Sequence, residues 1–225
     1  MAEHLPPLRP VDLASGDPLS AYLRATAAVC PFIEPSAAAG CLHACEVSPD
    51  CRHAGDVHPR LFEQLVPQVE RFRDARRALP AASQRLLTCH VVRICLPPNV
   101  DADAVRLLRW PNLLAWSLKH LYTPKEVVLG FVRRGVADRS ATGMDIPVAP
   151  FHAVLIRSRV AGPDRRFYPG DGPLLQAMLA ADDDGRDVHG PLLGTVPDVR
   201  DPQALRDDNY YQRVVQWWQT HLAKR

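Results

Sequence analysis

The segment AAVCPFIEPS, residues 27 to 36, sets a cysteine directly before a proline. Proline fixes its own φ, restricts the residue before it and donates no hydrogen bond, so Cys30 is held in a stiff turn. A thiolate presented that way can serve as an axial ligand to haem iron. Phe32 would then line one face of the macrocycle. His90 and His152, each within an apolar run of strand type, are the candidates for the opposite face and for acid/base work. Arg133, Arg134, Arg157 and Arg159 suit bidentate pairing with carboxylates such as haem propionates. The plain alternative is that Cys30 is a small buried residue in a turn.

A second constellation occupies CLHACEVSPDCRHAGDVH, with Cys41, His43, Cys45, Cys51, His53 and His58 inside one short span. Thiolate and imidazole donors at this density suit zinc. In a strand Cys41, His43 and Cys45 fall on one face. Three donors on a flat strand do not close a tetrahedron, so Cys51 or His53 would have to fold back. The alternative metal set is therefore Cys41, Cys45, Cys51 and His53, in a structural zinc site.

A thiol nucleophile needs a base. Cys89 and His90 are neighbours, so in a strand they point to opposite faces and do not pair. Alternation groups His90 with Leu86, Val92 and Ile94, and His152 with Val154 and Ile156, both in apolar layers where a lone histidine is ordinarily a satisfied core residue. Arg157 and Arg159 share a face with Phe151 and Leu155, as an anion pocket or as a solvated strand end. There is no glycine-rich phosphate loop, Gly-x-Ser-x-Gly elbow or dinucleotide fingerprint, which counts against nucleotide enzymes and serine hydrolases. ADDDGRD at 181 to 187 lacks the closing glutamate of a calcium loop.

The totals narrow the class. The chain has 225 residues, 47% hydrophobic and 23% charged, an ordinary globular composition. A formal net charge of +2 gives no footprint for nucleic acid. The longest apolar stretches are strand-length, and the N-terminus lacks the pattern of a signal peptide, so no membrane association and a cytoplasmic location are expected. There the six cysteines stay reduced, available as ligands, nucleophiles or packing residues.

Several elements must position these groups. DPLSAYLRATAAV reads as a helix capped by Asp17 with Pro18 at its first position. Pro31 and Pro35 predict an extended segment after it. CLHACEV permits a short strand. PRLFEQLVPQVERFRDARRAL is a helix with Phe62, Leu65, Val69, Phe72 and Ala75 on one face, kinked or broken at Pro67. QRLLTCHVVRICLP, KEVVLGFVRR and PFHAVLIRSRV are strands, with a helix over 101–122 between the first two. This order predicts an α+β fold, a mixed sheet covered by helices, with a ferredoxin-like sandwich as the preferred version. Residues 1–16 form an N-terminal arm that packs loosely, 17–168 the core domain, and 169–225 a C-terminal helical extension docked through Tyr211, Val214, Val215, Trp218 and Leu222.

VCPFIEPS at 29–36, LGFVRRG at 129–135 and PVAPFHAVLIRSRV at 147–160 resemble landmarks of an uncharacterised bacterial protein family with an N-terminal Cys-Pro-Phe motif. The resemblance spans roughly 17–168, and its specific part is Cys30-Pro31-Phe32. The resemblance implies histidines after the second strand and near the end of the third, where this chain has Arg133-Arg134 and Ser158-Arg159. It draws attention to Cys30 and brings no reaction. The expectation is a haem-thiolate enzyme acting oxidatively or by rearrangement on a small amine or amino acid in bacterial secondary metabolism. The alternatives are a cofactor-free enzyme or binding protein for a small anionic ligand, and a non-catalytic zinc-stabilised partner protein. A homodimer is compatible with any of them.

Overall fold

The computed structural model describes residues 5–52, 57–98, 126–140 and 143–160, together with Val100, Leu118, Tyr122 and Asp164. His53, the 181–187 turn, most of the expected helix over 101–122 and the C-terminal extension lie outside the described residues. The chain forms strands β1 (Arg9–Pro10), β2 (Leu42–Val47), β3 (Cys89–Ile94), β4 (Val127–Val132), β5 (Asp138–Arg139), β6 (Asp145–Ile146) and β7 (His152–Ser158). Its helices are α1 (Pro18–Ala27), α2 (Ile33–Ala38), α3 (Val57–Ala78) and α4 (Ala82–Leu87).

Five strands make one sheet in the order β1-β2-β3-β7-β4, and β5 and β6 make a small hairpin. β2 and β3 run parallel, and the other pairs are antiparallel. The α+β class with a mixed sheet is what the element order implied. The ferredoxin-like version needs a split β-α-β unit, with a third strand between the two parallel ones. Here β2 and β3 are direct neighbours, Leu42 opposite Cys89 through Val47 opposite Ile94, so the topology departs from it.

Side-chain alternation gives the sheet two buried faces. One carries Cys45, Val47, Val92, Ile94, Leu129, Val154 and Ile156 against Phe62, Leu65, Val69 and Phe72 of α3. The other carries Leu42, Cys89, Val91 and Ala153 against Leu19, Leu23 and Ile33 of α1 and α2. The apolar stripe expected on α3 is therefore the one it buries from Phe62 to Phe72, while Ala75 is half-buried. The helix runs through Pro67 without a break. Burying Leu65, Val66, Val69 and Phe72 completely offsets the roughly 3 kcal/mol that an interior proline costs a helix.

Three local expectations are corrected. Residues 33 to 38 are helical, not extended, although Pro35 lies among them. Amides of the first helical turn have no partner within the helix, so a proline there removes nothing. The apolar run before β3 is divided: Ala82–Leu87 forms α4, and the strand begins at Cys89. Residues 5 to 16 are tied down. Arg9 and Pro10 pair with Ala44 and His43 at the sheet edge, where a proline costs no ladder bond. Arg24 donates to the carbonyls of Leu13 and Ser15, and Arg71 to that of Pro6.

Asp17 caps α1 as expected, Oδ1 accepting from the amides of Leu19 at 2.9 Å and Ser20 at 3.1 Å, and Oδ2 from the Ser20 hydroxyl at 2.7 Å. The hydroxyls of Ser20 and Ser15 hold its carboxyl well below the usual carboxylate range. Replacing Asp17 with alanine is expected to cost about 0.5–2 kcal/mol, read from urea unfolding at neutral pH. The loss should shrink as pH falls through the carboxylate range, because the cap stabilises only while ionised.

Candidate functional site

The sheet divides the residues that could do chemistry into two groups. Cys30 sits between α1 and α2, half-buried, its backbone N–H donating to the Thr26 carbonyl at 2.9 Å. It packs with Ala27, Ala37 and Ala44 onto the α1/α2 face. Two residues on, the Phe32 ring lies beneath the Arg157 guanidinium, whose central carbon is 4.6 Å from the ring centroid. A cation over an aromatic face is attracted by the ring quadrupole, which helps position both groups. Arg157 also chelates Asp164 and donates to the Ser158 carbonyl at 2.9 Å.

Behind this corner Cys89 stands directly opposite Arg157 in the β3–β7 ladder. Burial pushes the Cys89 thiol up to about 12, and the nearby Cys30 sulfur adds to the effect while Arg157 opposes it. Cys89 is therefore a packed, neutral thiol. Cys30 is the more accessible sulfur of the two and is the one that can meet a ligand.

The histidines belong to the other face. His90 is buried on the α3 side, edge-on to Phe72 at 5.2 Å and to His43 at 5.8 Å between ring centroids. Burial, then the charges of His43 and Arg71, lower its pKa to about 3, so the ring is neutral near pH 7. His152 is buried on the same face, and its Nδ1 accepts the Arg134 amide hydrogen at 3.0 Å. His90 is opposite Ile156 in the ladder, so the two histidines lie ~13 Å apart at about 3.3 Å per residue. They share a face and no common site. The expected arrangement, with Cys30 on one side of a cofactor and these histidines on the other, is corrected by the sheet standing between them.

The arginines divide as well. Arg133 follows β4 at the end of the sheet away from Arg157 and lies 4.0 Å from Asp138. Arg159 follows β7 at the Arg157 end, its amide donating to the Glu126 carbonyl at 2.9 Å. Cys30, Phe32 and Arg157 thus converge, with Arg159 alongside in sequence, while Arg133 does not join them.

No family model, curated protein or solved structure matches this chain. The site stands on its geometry.

The zinc set fares differently. Cys45 and Cys51 lie in the apolar cluster beneath α3, and the Cys45 thiol donates to Gln68 Oε1 at 3.5 Å. The Cys41 thiol donates to the Ala39 carbonyl at 3.4 Å. Burial raises the Cys45 pKa, which disfavours the thiolate a metal needs. Among the described residues no group of three or more His, Cys, Asp or Glu side chains is placed to hold a metal ion. Among them, too, no helix is long and apolar enough to cross a membrane.

Arg9 and Asp12 escape the sequence reading altogether. Together with Glu46 and Arg93 they line a cleft of about 530 Å³ between the N-terminal segment and the sheet edge. Their only local signal is Pro10, which suits an edge strand and equally a loose arm.

Proposed function

We propose that the Cys30 corner holds a planar, anionic ligand of the haem class, with the Cys30 sulfur as donor and Arg157 as counter-cation. In this reading the protein acts oxidatively or by rearrangement on a small amine or amino acid. The observation that carries it is the convergence of Cys30, Phe32 and Arg157 at one corner, from segments more than 120 residues apart in sequence. These side chains fit the group: a half-buried thiol at a stiff turn suits iron, a phenyl ring suits a macrocycle face, and a guanidinium suits a propionate. Asp164 neutralises part of the Arg157 charge, so a carboxylate there would share the cation. When bound, haem would supply one-electron and oxygen chemistry at its iron. The chain's own part is to orient the ligand, because Pro31 stiffens the sulfur's approach and Phe32 fixes the guanidinium. A cytoplasmic setting, which keeps thiols reduced, suits such a site.

The second reading is a cofactor-free protein that binds a small anionic ligand through the same Arg157, with Cys30 as a packing residue. The Asp164 pairing weighs more on this reading, because here the shared cation is the only anchor, whereas in the first the Cys30 sulfur is a second one. Titration of the full chain with haem separates the two. The expected result is saturable uptake with a Soret band, altered or lost in Cys30→Ser while the circular dichroism stays unchanged. A wild-type titration showing only the absorption of free haem, with no saturable change, would overturn the haem reading and leave the anion reading.

A further inference from the structure

The cleft lined by residues of the 6 to 20 segment together with Ala44, Cys45 and Glu46 of β2 and Arg93 of β3 has a volume of about 530 Å³, within the range of small-molecule sites. It lies by the start of α1, whereas Cys30 follows its end. Ten helical residues separate them, which is about 15 Å of helix. The charges lining it are not equivalent. Glu46 and Arg93 face each other across β2 and β3 and are paired. Asp17 spends both oxygens on the α1 cap. That leaves two exposed groups of opposite sign. The Arg9 side chain makes no ion pair or hydrogen bond among the described residues, and the Asp12 carboxylate accepts only the Ala14 amide at 2.9 Å among them. The remaining wall is largely apolar, built from Pro6, Pro10, Val11 and Leu19.

We propose that this cleft binds a free α-amino acid with an apolar side chain, its carboxylate on Arg9, its ammonium on Asp12 and its side chain against the proline-rich wall. One cation and one anion without ion-pair partners, lining one cleft, select a zwitterion over a simple anion or amine, since either of these would leave one charge unanswered. Both groups are solvated, so their use requires little desolvation. The inference is independent of the Cys30 corner: either site can be occupied without the other.

Calorimetric titration of the full chain with L-leucine, isoamylamine and 4-methylpentanoate tests it. These share one side chain and carry both charges, the ammonium alone and the carboxylate alone. Leucine is expected to bind at least about fivefold more tightly than either analogue, the scale of one exposed ion pair. Arg9→Gln should bring leucine to the level of isoamylamine without changing the amine, and Asp12→Asn should bring it to the level of 4-methylpentanoate. Arg9→Lys should keep most of the preference, and both side chains are exposed, so the fold is preserved. Equal binding of the three ligands, no binding of leucine, or a preference that survives Arg9→Gln would each overturn the proposal.

Discussion

Replacing Arg73 with methionine is expected to destabilise the protein by about 3–5 kcal/mol, a large part of the roughly 5–15 kcal/mol that holds a domain of this kind together. Glu70 and Arg73 are one helical turn apart on α3, and Arg73 Nη1 donates to both Glu70 carboxylate oxygens at 2.8 Å. Their side chains are 7% and 5% exposed, which makes this a buried pair rather than a surface one. Removing the cation takes a counter-charge from a carboxylate in a poorly solvated place. Joining Glu70→Leu to Arg73→Met removes that penalty and should recover most of the loss, because apolar residues of similar volume can be as stable as a buried ion pair. Urea unfolding of the three proteins at neutral pH measures both effects. A single-variant loss below about 1 kcal/mol, the range of exposed pairs, would contradict the burial on which this rests.

Acid should unfold the protein partly through His90. Its folded pKa of about 3 lies below the ordinary value of 6.5, so the unfolded chain takes up a proton first as pH falls. Stability from this group is complete above about pH 6.5 and is lost progressively down to about pH 3. At pH 4.5 the loss should be on the order of 3 kcal/mol relative to pH 7. Burial against Phe72 is the main cause, and the charges of His43 and Arg71 add to it. His90→Gln cannot take up that proton, so its stability should change less between the two pH values than the wild type's. Parallel slopes for the two proteins would show that His90 does not carry the acid sensitivity. Asp17 contributes with the same sign at lower pH, since its carboxyl is also held below the ordinary range.

These expectations depend on how much of the molecule the sequence discloses. Local signals disclosed the elements: apolar runs rich in Val, Ile, Leu and Cys, the first stopped by Pro97-Pro98, marked β3 and β7, and the 3.6-residue spacing of Phe62, Leu65, Val69 and Phe72 marked the buried stripe of α3. Strand alternation correctly placed both histidines in an apolar layer. It misled where one residue type serves two structures. Pro35 is as good in a first helical turn as in an extended segment, and Leu86-Leu87 suit a helix end as well as a strand start. The side of the sheet on which each group lies was not legible. Cys30 and His90 are parted by the α1/α2 packing and the β2–β3 register, both set by long-range contacts. The stacking of Arg157 on Phe32 is of the same kind: each residue was recognisable as a candidate, and their meeting was not.

The face on which Cys30 lies therefore decides how the chain can work. It separates a sulfur-centred corner from a pair of buried histidines that reach neither it nor each other. The absorption spectrum of the ferrous carbonyl complex, taken on the full chain with haem added, tests this most directly because it distinguishes a thiolate donor from a histidine donor. A thiolate-type spectrum is expected in the wild type and unchanged in His90→Gln, but lost in Cys30→Ser. A histidine-type spectrum in the wild type, or a thiolate-type one that persists in Cys30→Ser, would contradict the assignment.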